Sequence, residues 1–140
     1  MREEPRGPIL AIDPGRRKCG LALVEGGRMV WGEVAGRDEA VRRAAEIWQE
    51  GRAAIVALGD GTGWREVFSA LVERGVPERA VVLVPEAGST LEGRRLYFRV
   101  RRPRGPLGLL RRLLLLPPEP FDHYVAWAIA LRLRLTGKGR

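Results

Sequence analysis

The chain is poor in cysteine and has no long apolar run. Its 140 residues include one cysteine, Cys19, which excludes a disulfide framework or a cysteine metal site and predicts a reducing compartment. The densest apolar run, 113–116, follows two arginines and ends at two prolines, so it is far too short to cross a bilayer. The opening residues 1–8 are charged and contain two prolines, unlike a signal peptide. We therefore expect a cytoplasmic protein with no membrane partner.

Lysine is also scarce, so arginine carries most of the positive charge. Only Lys18 and Lys138 are lysines among 25 basic residues, which stand against 17 acidic ones. Residues 1–90 hold 13 basic and 14 acidic residues, whereas residues 91–140 hold 12 and 3. A general bias toward arginine would explain the choice of Arg over Lys but not this segregation. Segregated basic charge is typical of proteins that bind a phosphate backbone, so we predict a nucleic-acid partner.

The length and the 45% hydrophobic content predict a single domain, 1–140, with flexible ends at 1–7 and 137–140. Short apolar segments predict strands at 9–12, 19–24, 28–34, 53–58 and 80–84. Tight turns between the first three, including Gly26-Gly27, indicate antiparallel strands. Helices after the third and fourth strands would make the last two strands parallel. We expect an α/β fold with a five-stranded mixed sheet, in which three antiparallel strands are followed by two parallel ones, flanked by helices.

Five helices are predicted around this sheet. The first follows Asp38 as its N-cap, and the second follows Thr62 as its cap. Three more are predicted in the last third of the chain, at 88–100, 106–116 and 121–131. The last of them is apolar around most of its circumference, so it should pack against the sheet.

Acidic residues follow three of the predicted strands. Asp13 ends the first strand, Asp60 follows the fourth, and Glu86 follows the fifth. Because ligands gather at the carboxyl ends of strands in open α/β sheets, these acids could converge. Two alternatives stay open for Asp13. It could only cap a turn, or its Asp-x-Gly pattern could be the phosphate loop that it resembles in the actin-like ATPases, although their two large lobes exceed 140 residues.

The basic residues of interest form two clusters. Arg16, Arg17 and Lys18 lie on the first turn beside Asp13. The second cluster lies in and after the helix 88–100, and comprises Arg94, Arg95, Arg99, Arg101, Arg102 and Arg104. Tyr97 and Phe98 lie within it, and such a mixture is typical of a surface that tracks a backbone and stacks on bases. The alternative is that both rings belong to the core.

Four segments, taken in order, carry a family resemblance: IDPGRRKCGLALV, GDGTG, VPEAGSTLEGRRLYF and PPEPFDHYVAWAIAL. With them the chain resembles the YqgF family of RuvC-like Holliday junction resolvase homologues, which have the ribonuclease H-like fold. The resemblance implies the sheet order 3-2-1-4-5. The resemblance implies that Asp13, Glu86 and Asp122 are the catalytic, metal-binding carboxylates, and that Ser89 and Thr90 are the Ser/Thr pair that follows the second acid, which we assign to nucleic-acid binding. It also implies 5′-end processing of pre-16S ribosomal RNA, with ribosomal precursor particles as partners, or alternatively resolution of branched DNA.

Phosphodiester hydrolysis needs an activated water and a stabilised leaving oxygen, which two Mg²⁺ or Mn²⁺ ions about 4 Å apart supply. Three acids from separate segments are sufficient ligands, with Asp60 in reserve. We therefore predict a metal-dependent endonuclease acting on structured RNA or DNA, as a monomer or homodimer. The alternative is a nucleic-acid-binding protein of this fold without catalysis. Pro85 and Ala87 flank the second acid, and Val125 stands where resolvases carry a further acid.

Overall fold

The computed structural model describes residues 7–138, and side chains as far as residue 134. The flexibility predicted for 1–6 and 139–140 lies outside the described residues, and that of Gly7, Gly137 and Lys138 stays a prediction. No helix within the described part of the chain is long and apolar enough to span a membrane.

Five strands form one mixed sheet. They are β1 (Ile9–Asp13), β2 (Lys18–Glu25), β3 (Arg28–Gly36), β4 (Ile55–Gly59) and β5 (Val81–Val84). The order is β3-β2-β1-β4-β5, in which β1, β2 and β3 pair antiparallel, and β4 pairs parallel with both β1 and β5. The predicted sheet order and strand directions are confirmed.

Helices cover both faces of the sheet. They are α1 (Arg37–Gln49), α2 (Trp64–Glu73), α3 (Ser89–Val100), α4 (Gly105–Leu114) and α5 (Asp122–Lys138). Alternate residues of the central strand β1 serve two cores: Leu10 and Ile12 pack with α1 and α2, whereas Ile9 and Ala11 pack with α5. This is the period of two that a strand buried on both faces requires. α3 packs on α5 through a third apolar cluster.

Both predicted helix caps are wrong. Gly36 is the N-cap of α1 and Gly63 is the N-cap of α2, and neither helix has a side-chain cap hydrogen bond. Gly63 adopts a φ of 84°, a left-handed conformation that glycine reaches far more easily than Thr62 would. Asp38 lies instead in the first turn of α1, where the helix dipole favours an acid.

The base-stacking interpretation of Tyr97 and Phe98 is wrong. Both side chains are buried between α3 and α5. The ring of Tyr97 makes edge contacts with those of Phe98 and Tyr124, and its hydroxyl donates a hydrogen bond of 2.7 Å to Glu119. The alternative that both rings belong to the core is therefore correct.

Candidate functional site

Asp13 lies at the carboxyl end of the central strand, and the turn that follows it is fixed from α1. The guanidinium of Arg37 donates two hydrogen bonds, of 3.0 and 2.7 Å, to the carbonyl oxygen of Gly15. The backbone N–H of Arg37 also donates to the carbonyl of Arg17, at 2.9 Å. Because one residue holds the turn at two points, the position of Asp13 over the sheet edge is set by the start of α1 as well as by β1.

Asp122 reaches the same edge because Gly20 has no side chain. Asp13 and Gly20 are paired across β1 and β2. A Cβ on Gly20 would collide with the backbone carbonyl of Asp122, so α5 begins in direct contact with β2. The carboxylate of Asp122 lies 3.9 Å from the ammonium nitrogen of Lys18. The first and third predicted acids therefore face the same region, with a cation beside them.

Glu86 completes the cluster from the other side of β1. Its carboxyl group lies over Gly59 and Gly61, where any added Cβ would overlap the carboxylate oxygens. The backbone N–H of Glu86 donates a 3.0 Å hydrogen bond to Oδ1 of Asp60. Asp60, predicted as a reserve ligand, is exposed and here positions the backbone of Glu86.

The electrostatics reflect three acids held close together. The pKa of Asp13 is raised from 3.8 to about 8, chiefly by burial and then by repulsion from Glu86 and Asp122. Burial also raises the pKa of Glu86, while the hydrogen bond from Asp13 opposes that shift. The raised pKa of Asp13 favours its protonated form at neutral pH, which relieves the repulsion between it and Glu86.

The donor set fits a divalent cation, although it is not gathered into a ligand shell. Within residues 7–138, no three His, Cys, Asp or Glu side chains are close enough to hold one ion as they stand. Asp13 lies close enough to Glu86 for the two carboxyl groups to shift each other's pKa, and Asp122 faces Lys18. Carboxylates are the hard oxygen ligands that Mg²⁺ prefers. The buried Oε2 of Glu86 has no amide, guanidinium or ammonium donor in the described part of the chain, which suits a cation.

Val125 is buried in an apolar environment. It belongs to the apolar core between α5 and the sheet, and it packs against Gly93 of α3. An acid at this position would be buried among apolar groups, so the missing fourth carboxylate has a packing reason.

The first basic cluster lines the candidate site. Arg16, Arg17 and Lys18 are exposed and border a groove of about 320 Å³ that also contains Asp13 and Asp122. The members of the second basic cluster differ in exposure. Arg94 is half-buried, with its guanidinium 5.7 Å from the ring centre of Phe121. The other five members are exposed: Arg95, Arg99, Arg101, Arg102 and Arg104.

The two residues of the predicted Ser/Thr pair also differ in exposure. Ser89 is 1% exposed at the start of α3, whereas Thr90 is exposed. In this conformation only Thr90 presents its side chain to a ligand.

Sequence reasoning missed Arg132. Its guanidinium donates two hydrogen bonds to the carboxylate of Glu92, at 3.1 and 2.8 Å, and one to the carbonyl of Pro85, at 2.8 Å. It therefore ties α5 to α3 and to the residue that precedes Glu86. The available signal was a charged residue in a largely apolar helix, for which burial demands a partner.

The sheet order and the helix placement are those of the ribonuclease H-like fold class, as predicted. Two solved structures share this fold. One is Thermus thermophilus RuvC, 21% identical, with a TM-score of 0.52 and 95% of each chain covered. The other is T. thermophilus RuvC in complex with a Holliday junction substrate, 20% identical, with a TM-score of 0.54 and 96% of each chain covered. No family model and no curated protein sequence matches the chain, so membership of the YqgF family stays a prediction.

Proposed function

We propose that the protein is a divalent-metal-dependent endonuclease that hydrolyses phosphodiester bonds of structured nucleic acid. The observation that supports this proposal is that Asp13, Glu86 and Asp122 face one sheet edge, where burial of Asp13 and repulsion by the other two acids raise its pKa to about 8. Similarity in fold to a RuvC structure that holds a Holliday junction substrate supports it. The three acids come from β1, the end of β5 and the start of α5, so they are brought together by the fold.

The residues of the site would have different roles in hydrolysis. Asp13, Glu86 and Asp122 would hold Mg²⁺ or Mn²⁺, which supplies an activated water and neutralises charge on the phosphate. Asp13 would give up its proton to solvent as the repulsion around it is relieved. Lys18, 3.9 Å from Asp122, is positioned to donate a hydrogen bond to a phosphate oxygen. Arg16 and Arg17 border the same groove and would bind neighbouring phosphates.

The substrate that we propose is the 5′ end of pre-16S ribosomal RNA, supported by the four sequence segments that resemble the YqgF family. Branched DNA is the second candidate, supported by the fold similarity to RuvC bound to a Holliday junction. Both substrates present phosphates to the same basic groove, and they differ in sugar and in branching.

Cleavage assays with matched variants test the proposal. Purified protein is incubated with RNA spanning the precursor 5′ end, and with a synthetic four-way DNA junction, with and without Mn²⁺. We expect metal-dependent cleavage of one substrate, lost by at least about 100-fold in Asp13→Asn while nucleic-acid binding persists. Asp38→Asn, an exposed acid of α1, is the control and should cleave normally. Cleavage by Asp13→Asn at the wild-type rate would overturn the site assignment.

Calorimetric titration of Mn²⁺ separates this proposal from the alternative of a non-catalytic binding protein. We expect saturable binding that Asp13→Asn weakens by at least about tenfold. A protein that binds either nucleic acid but shows no saturable metal binding would support the non-catalytic alternative instead.

A further inference from the structure

The side chain of Arg37 joins two loops that follow different strands. Its guanidinium donates two hydrogen bonds to the carbonyl of Gly15, in the turn after β1. The same guanidinium lies against Gly63, in the loop after β4, where an added Cβ would overlap Nη2 and would lie 3.1 Å from Cζ. That Cβ would also lie 3.6 Å from the carbonyl oxygen of Gly15. One half-buried side chain therefore occupies the space between the turn and the loop.

Each of the two loops positions one of the candidate metal ligands. The turn after β1 begins directly after Asp13. The loop after β4 holds Glu86 at two points, since Asp60 accepts a hydrogen bond from its backbone N–H and Gly61 lies against its carboxyl group. A displacement of either loop would therefore change the distance between the carboxyl groups of Asp13 and Glu86.

The glycines of the loop make this arrangement possible but do not hold it in place. Gly61 and Gly63 allow other side chains to approach the loop closely, yet glycine has more conformational freedom than any other residue. The guanidinium, by contrast, is planar and presents its N–H donors in a fixed fork. Arg37 is also anchored through its backbone N–H, which donates to the carbonyl of Arg17. A rigid group with a fixed origin therefore lies between the turn and the loop.

We propose that Arg37 is a positioning residue that fixes the turn after β1 against the loop after β4, and so sets the separation of Asp13 and Glu86. The inference rests on the proposed function in one respect, which is the use of the two acids as ligands of a divalent ion. Arg37 acts indirectly, through the carbonyl of Gly15 and the backbone at Gly63. Removing groups that orient metal ligands in this way commonly weakens metal binding by about 10- to 100-fold.

Backbone amide shifts of the metal-free protein test this bridge independently of nuclease activity. Arg37→Lys keeps the positive charge but cannot reproduce the paired hydrogen bonds of the guanidinium. In ¹H–¹⁵N spectra it should shift the amides of residues 15–18, those of residues 60–63 and that of Glu86. If residues 60–63 and Glu86 did not shift, the side chain would act on the first turn alone, and the proposal would be overturned.

The matched control is Arg43→Lys. Arg43 is a half-buried arginine of the same helix, but it pairs with the carboxylates of Glu33 and Glu39. Its replacement should leave the amides of both loops unshifted and Mn²⁺ affinity unchanged. Equal shifts in the two variants would mean that the loops respond to any change in α1, and this result would also overturn the proposal.

Chemical rescue tests whether the guanidinium group itself positions the metal ligands. In calorimetric titrations, Arg37→Ala should bind Mn²⁺ at least about tenfold more weakly than wild type. Millimolar guanidinium should recover most of this loss by filling the space of the missing group, whereas ammonium at the same ionic strength should not. A loss that guanidinium does not recover would overturn the proposal. A wild type without saturable Mn²⁺ binding would instead contradict the proposed function, and the amide shifts would still decide the role of Arg37.

A double-mutant cycle tests the contact from the side of the loop. In wild type, Gly63→Ala would meet both the strain of a φ of 84° and the guanidinium of Arg37. In the Arg37→Ala background only the strain remains, so the urea midpoint should fall less there than in wild type. Gly75→Ala is the matched control, with a φ of 97° and an added Cβ 3.5 Å from Gln49, and it should lower the midpoint equally in both backgrounds. Equal effects of Gly63→Ala in the two backgrounds would overturn the proposal.

Discussion

The protonated state of Asp13 links the candidate site to the stability of the whole chain. Unfolded, this carboxyl group has a pKa of 3.8, whereas in the native state its pKa is about 8. Between these two values the native state binds one more proton than the unfolded state. The free energy of unfolding therefore falls as pH rises through this window, by up to about 1.4 kcal/mol per pH unit.

Asp13→Asn should remove this dependence. Urea denaturation of metal-free protein at pH 5 and at pH 8 measures it. Wild type should be clearly less stable at pH 8, and Asp13→Asn should show a smaller difference because the amide does not titrate. Saturating Mn²⁺ should restore the stability of wild type at pH 8, since a bound cation replaces the proton. Parallel pH profiles for the two proteins would contradict the raised pKa of Asp13.

Arg132 acts on the site through Glu92 and the carbonyl of Pro85, so it is a positioning residue. Arg132→Gln should lower the free energy of unfolding by about 1–3 kcal/mol, because it removes charge-assisted hydrogen bonds to both groups. It should also weaken Mn²⁺ binding, since the segment before Glu86 loses its anchor. Arg132→Lys should restore only part of both effects, because an ammonium cannot reproduce the paired contact with Glu92.

The control for Arg132 is Arg42→Gln. Arg42 makes exposed ion pairs with Glu39 and Glu46 on α1, far along the chain from the site. Exposed pairs of this kind contribute about 0.5 kcal/mol, and Mn²⁺ binding should be unchanged. Equal losses in the two variants would mean that Arg132 contributes no more than a surface arginine.

At the scale of elements, the sheet was predictable and the contacts between elements were not. The order 3-2-1-4-5 was implied by the family resemblance. Short apolar runs and the strand–helix alternation predicted the strands and their directions, because burial on both faces of β1 and β4 leaves a direct record in the sequence. Asp13 and Glu86 were predictable for the same reason, since each follows such a run. The helix starts at Gly36 and Gly63 depend on backbone dihedral angles, which are difficult to predict from the residue types alone.

Long-range contacts account for what sequence reasoning missed. Arg132 lies 40 residues from Glu92 and 47 from the carbonyl that it binds. Gly20 matters because Asp122, about 100 residues later, lies against its backbone. Neither contact leaves a pattern among neighbouring residues of the sequence. The exposure of the leucines of α4 was equally hard to predict, because their spacing in the sequence is the same whether they point inward or outward.

Gly20→Ala tests how closely α5 must approach β2. The added methyl group would overlap the carbonyl of Asp122, so the start of α5 must shift. We expect a loss of about 1–3 kcal/mol in the free energy of unfolding, typical of overpacking, together with weaker Mn²⁺ binding. Urea denaturation and calorimetry measure the two effects.

Gly36→Ala is the matched control. Gly36 has a φ of −57° and no atom nearer than 3.9 Å to an added Cβ, so alanine fits there without a clash. It should change stability by less than about 1 kcal/mol. If Gly20→Ala were as well tolerated, direct contact between β2 and α5 would not be what positions Asp122.

At the scale of the whole molecule, the segregated charge and the fold reinforce each other. The nearly neutral part, 1–90, supplies the sheet and two of the three candidate ligands, whereas the basic part, 91–140, supplies α4, α5 and most of α3 with a net charge of +9. Five of the predicted nucleic-acid-binding arginines in this part are exposed. Under the proposed function, these exposed arginines would bind the phosphate backbone of the substrate.

This distribution of charge predicts that nucleic-acid binding depends steeply on salt, and that individual arginines contribute separately to that dependence. Each phosphate contact contributes a slope of about −0.9 to log K against log salt for duplex DNA, and about −0.7 for single strands. Arg102→Gln combined with Arg104→Gln should therefore reduce the measured slope by about 1.4 to 1.8, and weaken binding similarly for different sequences. Arg74→Gln, an exposed arginine at the end of α2, should leave the slope unchanged. Fluorescence anisotropy over a range of salt concentrations measures the slope for the wild type and both variants. An equal reduction of the slope in Arg74→Gln would mean that binding depends on total charge and not on the positions of the arginines.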